Sequence, residues 1–125
     1  MIHLDTNYLI DLASESPRYL HKIEKWINAG EKLATSSIAW TEFLIGPVKE
    51  TRIGKIQNLL EERIFPYEGR HTSVAAKLFN EAGRLRGLQA DSKIAAAAIA
   101  EGHFLATLNT KDFKPFSRFG LQLIN

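Results

Sequence analysis

Short apolar runs of strand length alternate with longer segments of helical period, and this alternation constrains the fold more than any other feature of the chain. Met1–Leu4, Lys32–Thr35, Ile64–Pro66, His103–Thr107 and Leu121–Ile124 read as strands. The third must lie at a sheet edge, because Pro66 has no N–H to give a central ladder. Asn7–Ala13 reads as a short helix. Pro17 opens a second, with Leu20, Ile23, Trp26 and Ile27 on one face and Gly30 as its stop. Ser36 or Ser37 caps a helix over Ile38–Ile45 that ends at Gly46-Pro47. Helical spacing recurs over Thr51–Arg63, over Val74–Leu85 with closure near Gly87, and from Asp91 to Ala100 with Gly102 as the stop. Strands alternating with helices predict an α/β domain of three layers, α/β/α, around a short and mostly parallel central sheet.

With 125 residues, no repeat and no Gly/Ser linker, residues 1–125 are expected to form one domain with its own core. No apolar run approaches the roughly 20 residues of a membrane span. The start of the chain lacks the basic region and cleavage pattern of a signal peptide. The absence of cysteine excludes disulfides and thiolate metal sites and fits a reducing compartment, so a cytoplasmic protein is expected. The net charge of +2 does not by itself point to nucleic acid. The second half is nevertheless basic: Lys77, Arg84, Arg86, Lys93, Lys111, Lys114 and Arg118 outnumber Glu81, Asp91, Glu101 and Asp112. For any one of these cations, a solvated surface position is the ordinary explanation.

Four acids stand where such a fold gathers its sites, at the carboxyl ends of the strands. Asp5 interrupts the apolar run of MIHLDTNYLIDL at the end of the first strand. It can cap the following helix, although Asn7 can do the same. Glu42 shares a helix face with Ile38 and Ile45 and has Trp40, Phe43 and Leu44 as neighbours, so it is expected to need a partner or lose its charge. Asp91 begins the helix that feeds the His103 strand, which returns it to the same sheet edge, on a face with Ile94, Ala95 and Ala98. As an N-cap it would gain roughly 0.3–1 kcal/mol from the helix dipole. Asp112 lies just past the His103 strand in TLNTKDF, with Asn109 as a polar competitor; a turn alone also explains both. Carboxylates brought together repel unless protons or cations intervene. An all-oxygen donor set suits Mg²⁺ or Mn²⁺ rather than zinc, and such ions act on phosphates.

HLDTNYLIDL, SSIAWTEFLIG, ADSKIAAAAIAEG and FLATLNTKDF, in this order and across nearly the whole chain, resemble the four signature segments of PIN-domain ribonucleases, in particular the small VapC-type toxins of toxin–antitoxin pairs. The resemblance implies a PIN-like α/β/α fold and Mg²⁺- or Mn²⁺-dependent endoribonuclease activity. It also implies a homodimer and inhibition by a cognate antitoxin that inserts into the acidic groove. Asp5, Glu42 and Asp91 match the three core carboxylates, with Asp5 and Asp91 as direct metal ligands and Glu42 binding directly or through water. Thr6 matches the hydroxyl residue that orients the first carboxylate. Asp112 is taken as the fourth acid, with Asn109 as the alternative.

Arg84, Arg86, Lys93 and Lys111 flank the acidic segments and are candidates for holding RNA phosphates. His3, on a buried strand, reads as a hydrogen-bonded core residue. No RRM- or KH-like element is present, so RNA shape and loops would set specificity. A haloacid-dehalogenase phosphatase would need an Asp where Asn7 stands, and a receiver domain would need paired early acids; both are poor fits. A PIN-like module that binds RNA or protein without cleaving is the non-enzymatic alternative.

Overall fold

The computed structural model describes residues 1–125. Five strands form one sheet: β1 (Ile2–Leu4), β2 (Leu33–Ser36), β3 (Ile64–Phe65), β4 (Phe104–Ala106) and β5 (Gln122–Ile124). Their order is β3-β2-β1-β4-β5, and every pairing is parallel. The sheet is thus wholly parallel, and β3 is the edge strand that Pro66 requires. Seven α-helices complete the fold: α1 (Thr6–Ala13), α2 (Leu20–Asn28), α3 (Ser37–Ile45), α4 (Glu50–Leu59), α5 (Gly69–Glu81), α6 (Gln89–Glu101) and α7 (Thr110–Phe113), with 3-10 turns at Arg86–Leu88 and Lys114–Phe119. The chain steps outward from β1 through β2 to β3, then crosses back to β4 and on to β5. Right-handed crossovers therefore send the two halves of the chain to opposite faces of the sheet. In keeping with this, α1 packs on α3 and α4, while α6 packs on α5 and α7.

Several boundaries differ from the sequence expectation. Pro17 precedes α2 rather than opening it, and Tyr19 occupies the N-cap without a side-chain bond. Of the four apolar residues assigned to the α2 face, Ile23 and Trp26 are buried but Leu20 and Ile27 stay largely exposed. The helix after Gly46-Pro47 ends at Leu59, where Glu61 and Glu62 both adopt positive φ and turn the chain into β3. The helix from Val74 begins earlier, at Gly69, because Glu68 and His71 form a reciprocal capping pair. Ser36, not Ser37, caps α3, its hydroxyl accepting from the Ala39 N–H at 3.1 Å.

A cluster of 23 buried residues forms the core. The alanines of α6 explain its thinness: Ala95, Ala96, Ala97 and Ala98 are all buried, so α6 is covered on nearly every side by the sheet and α5. Small side chains let it approach both, and Gly102, at φ +70°, takes the left-handed C-cap that releases the chain into β4. His3 is buried in β1 as expected. Its Nε2 lies 3.0 Å from His103 Nδ1, its ring stacks on Phe65, and its Nδ1 has no partner. Burial, with the neighbouring imidazole and the chain's amino terminus, lowers its pKa to about 3.

The unfolded chain therefore binds a proton at His3 that the folded chain refuses, and stability falls as pH drops below the ordinary imidazole value near 6.5. His3→Asn, which cannot take up that proton, should flatten the acid limb. Between pH 7 and pH 4 its unfolding free energy should fall by about 2–3 kcal/mol less than that of the unsubstituted protein, read by urea titration.

Candidate active site

The strand order reverses direction between β1 and β4, so the connections leaving their carboxyl ends part and open a crevice. Asp5 stands at the end of β1, and its N–H still reaches across to the Ala106 carbonyl of β4 at 2.9 Å. Its side chain, 5% exposed, is held at both oxygens: Oδ1 accepts from the Thr6 N–H at 2.8 Å, and Oδ2 accepts from the Thr107 hydroxyl at 2.7 Å. Asp5 is thus the N-cap of α1 while also presenting a carboxylate to the crevice. Each oxygen retains lone-pair capacity for a further ligand. Cap and site residue are the same group here, not alternatives.

Asn7 is not the cap. It spans the crevice: its Nδ2 donates to Thr107 Oγ1 at 3.4 Å, and its Oδ1 accepts from the Leu108 N–H at 3.2 Å. Thr107 Oγ1 also accepts from the Asn109 N–H at 3.0 Å, so this buried hydroxyl uses its one proton and both lone pairs. Thr107 was not singled out from sequence. The available signal was the side-chain alternation of the last strand run, which puts a hydroxyl at the strand end beside Asp5.

Thr6 also departs from expectation. Its backbone N–H serves Asp5, but its hydroxyl donates to Glu42 Oε1 at 2.9 Å. Glu42 is exposed rather than enclosed by apolar neighbours, because α3 buries Ala39, Trp40 and Phe43 and turns Ile45 outward at 80% exposure. Asp91 is not an N-cap. Leu88 holds that position without a side-chain bond, which leaves Asp91 in the first turn of α6, half-buried. Asn109 and Asp112 turn out to cooperate: Asn109 Nδ2 donates to Asp112 Oδ2 at 2.6 Å. The two competitors for the fourth position are one hydrogen-bonded unit.

The four acids share an electrostatic environment. Burial, then the charges of Asp5, Glu42 and Asp112, raise the Asp91 pKa to about 7. Burial raises that of Asp5, opposed by the bonds from Thr107 and Thr6 and reinforced by Glu42. No Lys, Arg or His forms an ion pair with any of the four. A cluster of oxygen donors without an internal cation fits a hard divalent ion. The candidate RNA cations Arg84, Arg86, Lys93 and Lys111 likewise pair with no carboxylate, which leaves their charge free.

Elsewhere, Glu68, His71 and Glu101 bring possible ligand atoms within 4.8 Å of one another, closer together than any three of the four acids do. Glu101 ends α6, about ten residues or roughly 15 Å of helix from Asp91. His71 Nδ1 accepts from the Glu68 N–H at 2.9 Å, so the proton of the neutral ring is on Nε2, which faces Glu101 at 3.7 Å as a donor and not a ligand. Arg70 pairs with both glutamates. This is an ion-pair knot that ties α5 to the end of α6.

A wholly parallel sheet with four acids near its switch point defines the class of the chain as a parallel α/β protein with an acidic strand edge. Residues 2–119 match the PIN domain, and the chain belongs to that family. It is 32% identical to a VapC ribonuclease of Sinorhizobium fredii, over 100% of this chain and 96% of that protein. Among solved structures, VapBC2 from Rickettsia felis bound to a promoter DNA fragment superposes with a TM-score of 0.75 at 27% identity, covering 100% of this chain and 98% of the other. A toxin–antitoxin complex from Klebsiella pneumoniae gives a TM-score of 0.75 at 27% identity, covering 100% and 97%. No helix is long and apolar enough to cross a membrane.

Because the folded state holds Asp91 near pH 7 while the unfolded chain ionises it near 3.8, charging this group opposes folding progressively as pH rises between those values. In the presence of a chelator, Asp91→Asn should therefore raise the melting temperature at pH 8 by a few degrees. That corresponds to about 1–2 kcal/mol once solvent screening of a half-buried group is allowed for. The gain should shrink to about 0.5 kcal/mol or less at pH 4 and vanish below about pH 3, where Asp91 is protonated in both the folded and the unfolded chain.

Proposed function

We propose that the protein is the toxin of a toxin–antitoxin pair, a metal-dependent endoribonuclease that acts in the cytoplasm. The observation that carries this reading is the convergence of Asp5, Glu42, Asp91 and Asp112 on one crevice with no internal cation. Asp5, Asp91 and Glu42 would hold Mg²⁺ or Mn²⁺, Asp112 would complete the acidic wall, and Asn109 would hold Asp112 in place. When bound, such an ion supplies Lewis acidity that activates water and offsets charge on the phosphodiester. The protein groups do the positioning. Thr6 and Thr107 fix Asp5 at both oxygens, and the Thr6 hydroxyl fixes Glu42 relative to Asp5. Asp91, its pKa pushed to about 7 by burial and its acidic neighbours, would be held ionised once a divalent ion is bound.

The substrate is read as RNA, whose phosphates would meet the unpaired Arg84, Arg86 and Lys111, while Lys93 faces the opposite side of α6 from Asp91, over the Tyr67 ring. The Sinorhizobium fredii relative is named a ribonuclease, and two structural relatives are toxin–antitoxin assemblies; both facts support the reading. A cognate antitoxin would inhibit by inserting into the acidic crevice, where a cationic side chain would meet the four unpaired carboxylates. The working unit is read as a homodimer.

Freed of antitoxin, the protein should cleave structured RNA with Mg²⁺ or Mn²⁺ and stop with EDTA, and Asp5→Asn should abolish cleavage. Undiminished cutting in EDTA would sink the metal–carboxylate mechanism. RNA binding without cleavage under any divalent ion would instead make the chain a non-catalytic module.

Thr107 gives an independent test of positioning. Thr107→Val should lower kcat about 10–100-fold with KM little changed, since misplacing a ligand by a fraction of an ångström costs that much. Thr107→Ser, which keeps the hydroxyl, should restore most of it.

A further inference from the structure

Between α5 and α6 lies a cavity of about 260 Å³ that the four acids do not line. Its α6 wall is Gln89, Ser92 and Lys93, the residues on either side of Asp91. Successive helix residues turn by about 100°, so Asp91 points away from Gln89 and Lys93, which look into the cavity. Asp91 and the cavity therefore face opposite sides of one helical turn, about a helix width of 10–12 Å apart, a span of one or two nucleotides.

The lining is mixed in a particular way. Tyr67 and the half-buried Phe79 supply aromatic surface, and Ala75 and Ala76 keep the floor shallow. The hydroxyls are already committed: Thr72 donates to the Gly69 carbonyl and Ser92 to the Leu88 carbonyl, both at 2.7 Å. The side-chain amides of Asn80 and Gln89 are exposed and hydrogen-bond to nothing within the chain, so each offers a donor and an acceptor in one plane. Lys93 Nζ sits 5.9 Å from the Tyr67 ring centroid and pairs with no carboxylate. At the rim, Gly83 and Arg84 both take positive φ, and this sharp turn presents Arg84 and Arg86 to solvent.

Aromatic surface, free planar amides and unpaired cations together are what an unstacked base and its flanking phosphates require. The volume falls just below the roughly 300 Å³ at which pockets for larger ligands begin, so it admits one ring system rather than two stacked bases. A second copy of the chain seated here would bury Lys93 and both amides, and the cavity wall offers no carboxylate to pair with the lysine.

We propose that the α5–α6 cavity receives one nucleobase of the RNA strand, next to the phosphodiester held at the acids, and so sets which nucleotide is cut beside. This rests on the ribonuclease reading above. The base stacks against Phe79, Asn80 and Gln89 meet its edge, and Lys93 holds the intervening phosphate.

The test uses short RNAs identical except at the nucleotide adjacent to the cut, including one with an abasic ribose there. The full chain should favour the intact RNA over the abasic one by about tenfold or more in kcat/KM, the range of a single base stack. Phe79→Leu combined with Gln89→Ala should bring that ratio close to one; the leucine keeps the volume and guards against a folding defect. A ratio near one in the unsubstituted protein, or one unchanged in the variant, overturns the pocket while leaving cleavage itself intact.

A second readout does not depend on cleavage. In Asp5→Asn protein, the Asn80 and Gln89 side-chain amide resonances should shift on titration with nucleoside monophosphates. If they move only with protein concentration, a second copy fills the cavity and the proposal fails.

Discussion

Both oxygens of Asp5 are fixed before any ligand arrives, one by the Thr6 N–H and the other by the Thr107 hydroxyl. The rest of the site depends on this arrangement. A buried carboxylate without partners would be protonated or displaced. Held this way, it can cap α1, join β1 to the end of β4 and still face the crevice. Thr107 in turn takes bonds from Asn7 and Asn109, and Asn109 holds Asp112. One hydroxyl thus links the first acid to the last across 107 positions of sequence, as the spacing of Asp5 and Asp112 requires.

The arrangement is electrostatically unfavourable in isolation. Asp91 is pushed towards neutral pH by burial and by three neighbouring carboxylates, and no basic side chain enters the cluster to relieve it. Meanwhile, the other end of α6 carries a compensated group, with Arg70 paired to Glu101 and Glu68. Charge is thus left uncompensated at the strand edge and compensated at the far end of the same helix, a contrast that the proposed metal site would account for.

The helices that frame the crevice show why it is rigid. Ala95–Ala98 let α6 lie close to both the sheet and α5, so the turn bearing Asp91 is set by a packed core rather than by a loop. Glu42 comes from an exposed face of α3 and is tied in only through the Thr6 hydroxyl. The four acids therefore range from the buried Asp5 through the half-buried Asp91 and Asp112 to the exposed Glu42.

The sequence by itself determined the alternation of strand and helix, a mostly parallel sheet, the edge position of the strand before Pro66, and the placing of Asp5 at the end of the first strand. Each follows from local periodicity and from the rule that helices return the chain to the same side. What it could not determine was how the groups bond. Asp5 and Asn7 were interchangeable as caps on propensity alone, Glu42 looked enclosed by its sequence neighbours, Asp91 read as a site residue with an N-cap as the alternative, and Asn109 and Asp112 looked like rivals. The first two needed the tertiary structure, because they depend on partners about 30 or 100 residues away: Thr107 for Asp5 and Asn7, Thr6 for Glu42. The last two turned on local geometry, the Leu88 N-cap and the Asn109–Asp112 bond. Side-chain hydrogen bonds and burial are properties of neighbours in space, and the chain order does not encode which neighbours those are.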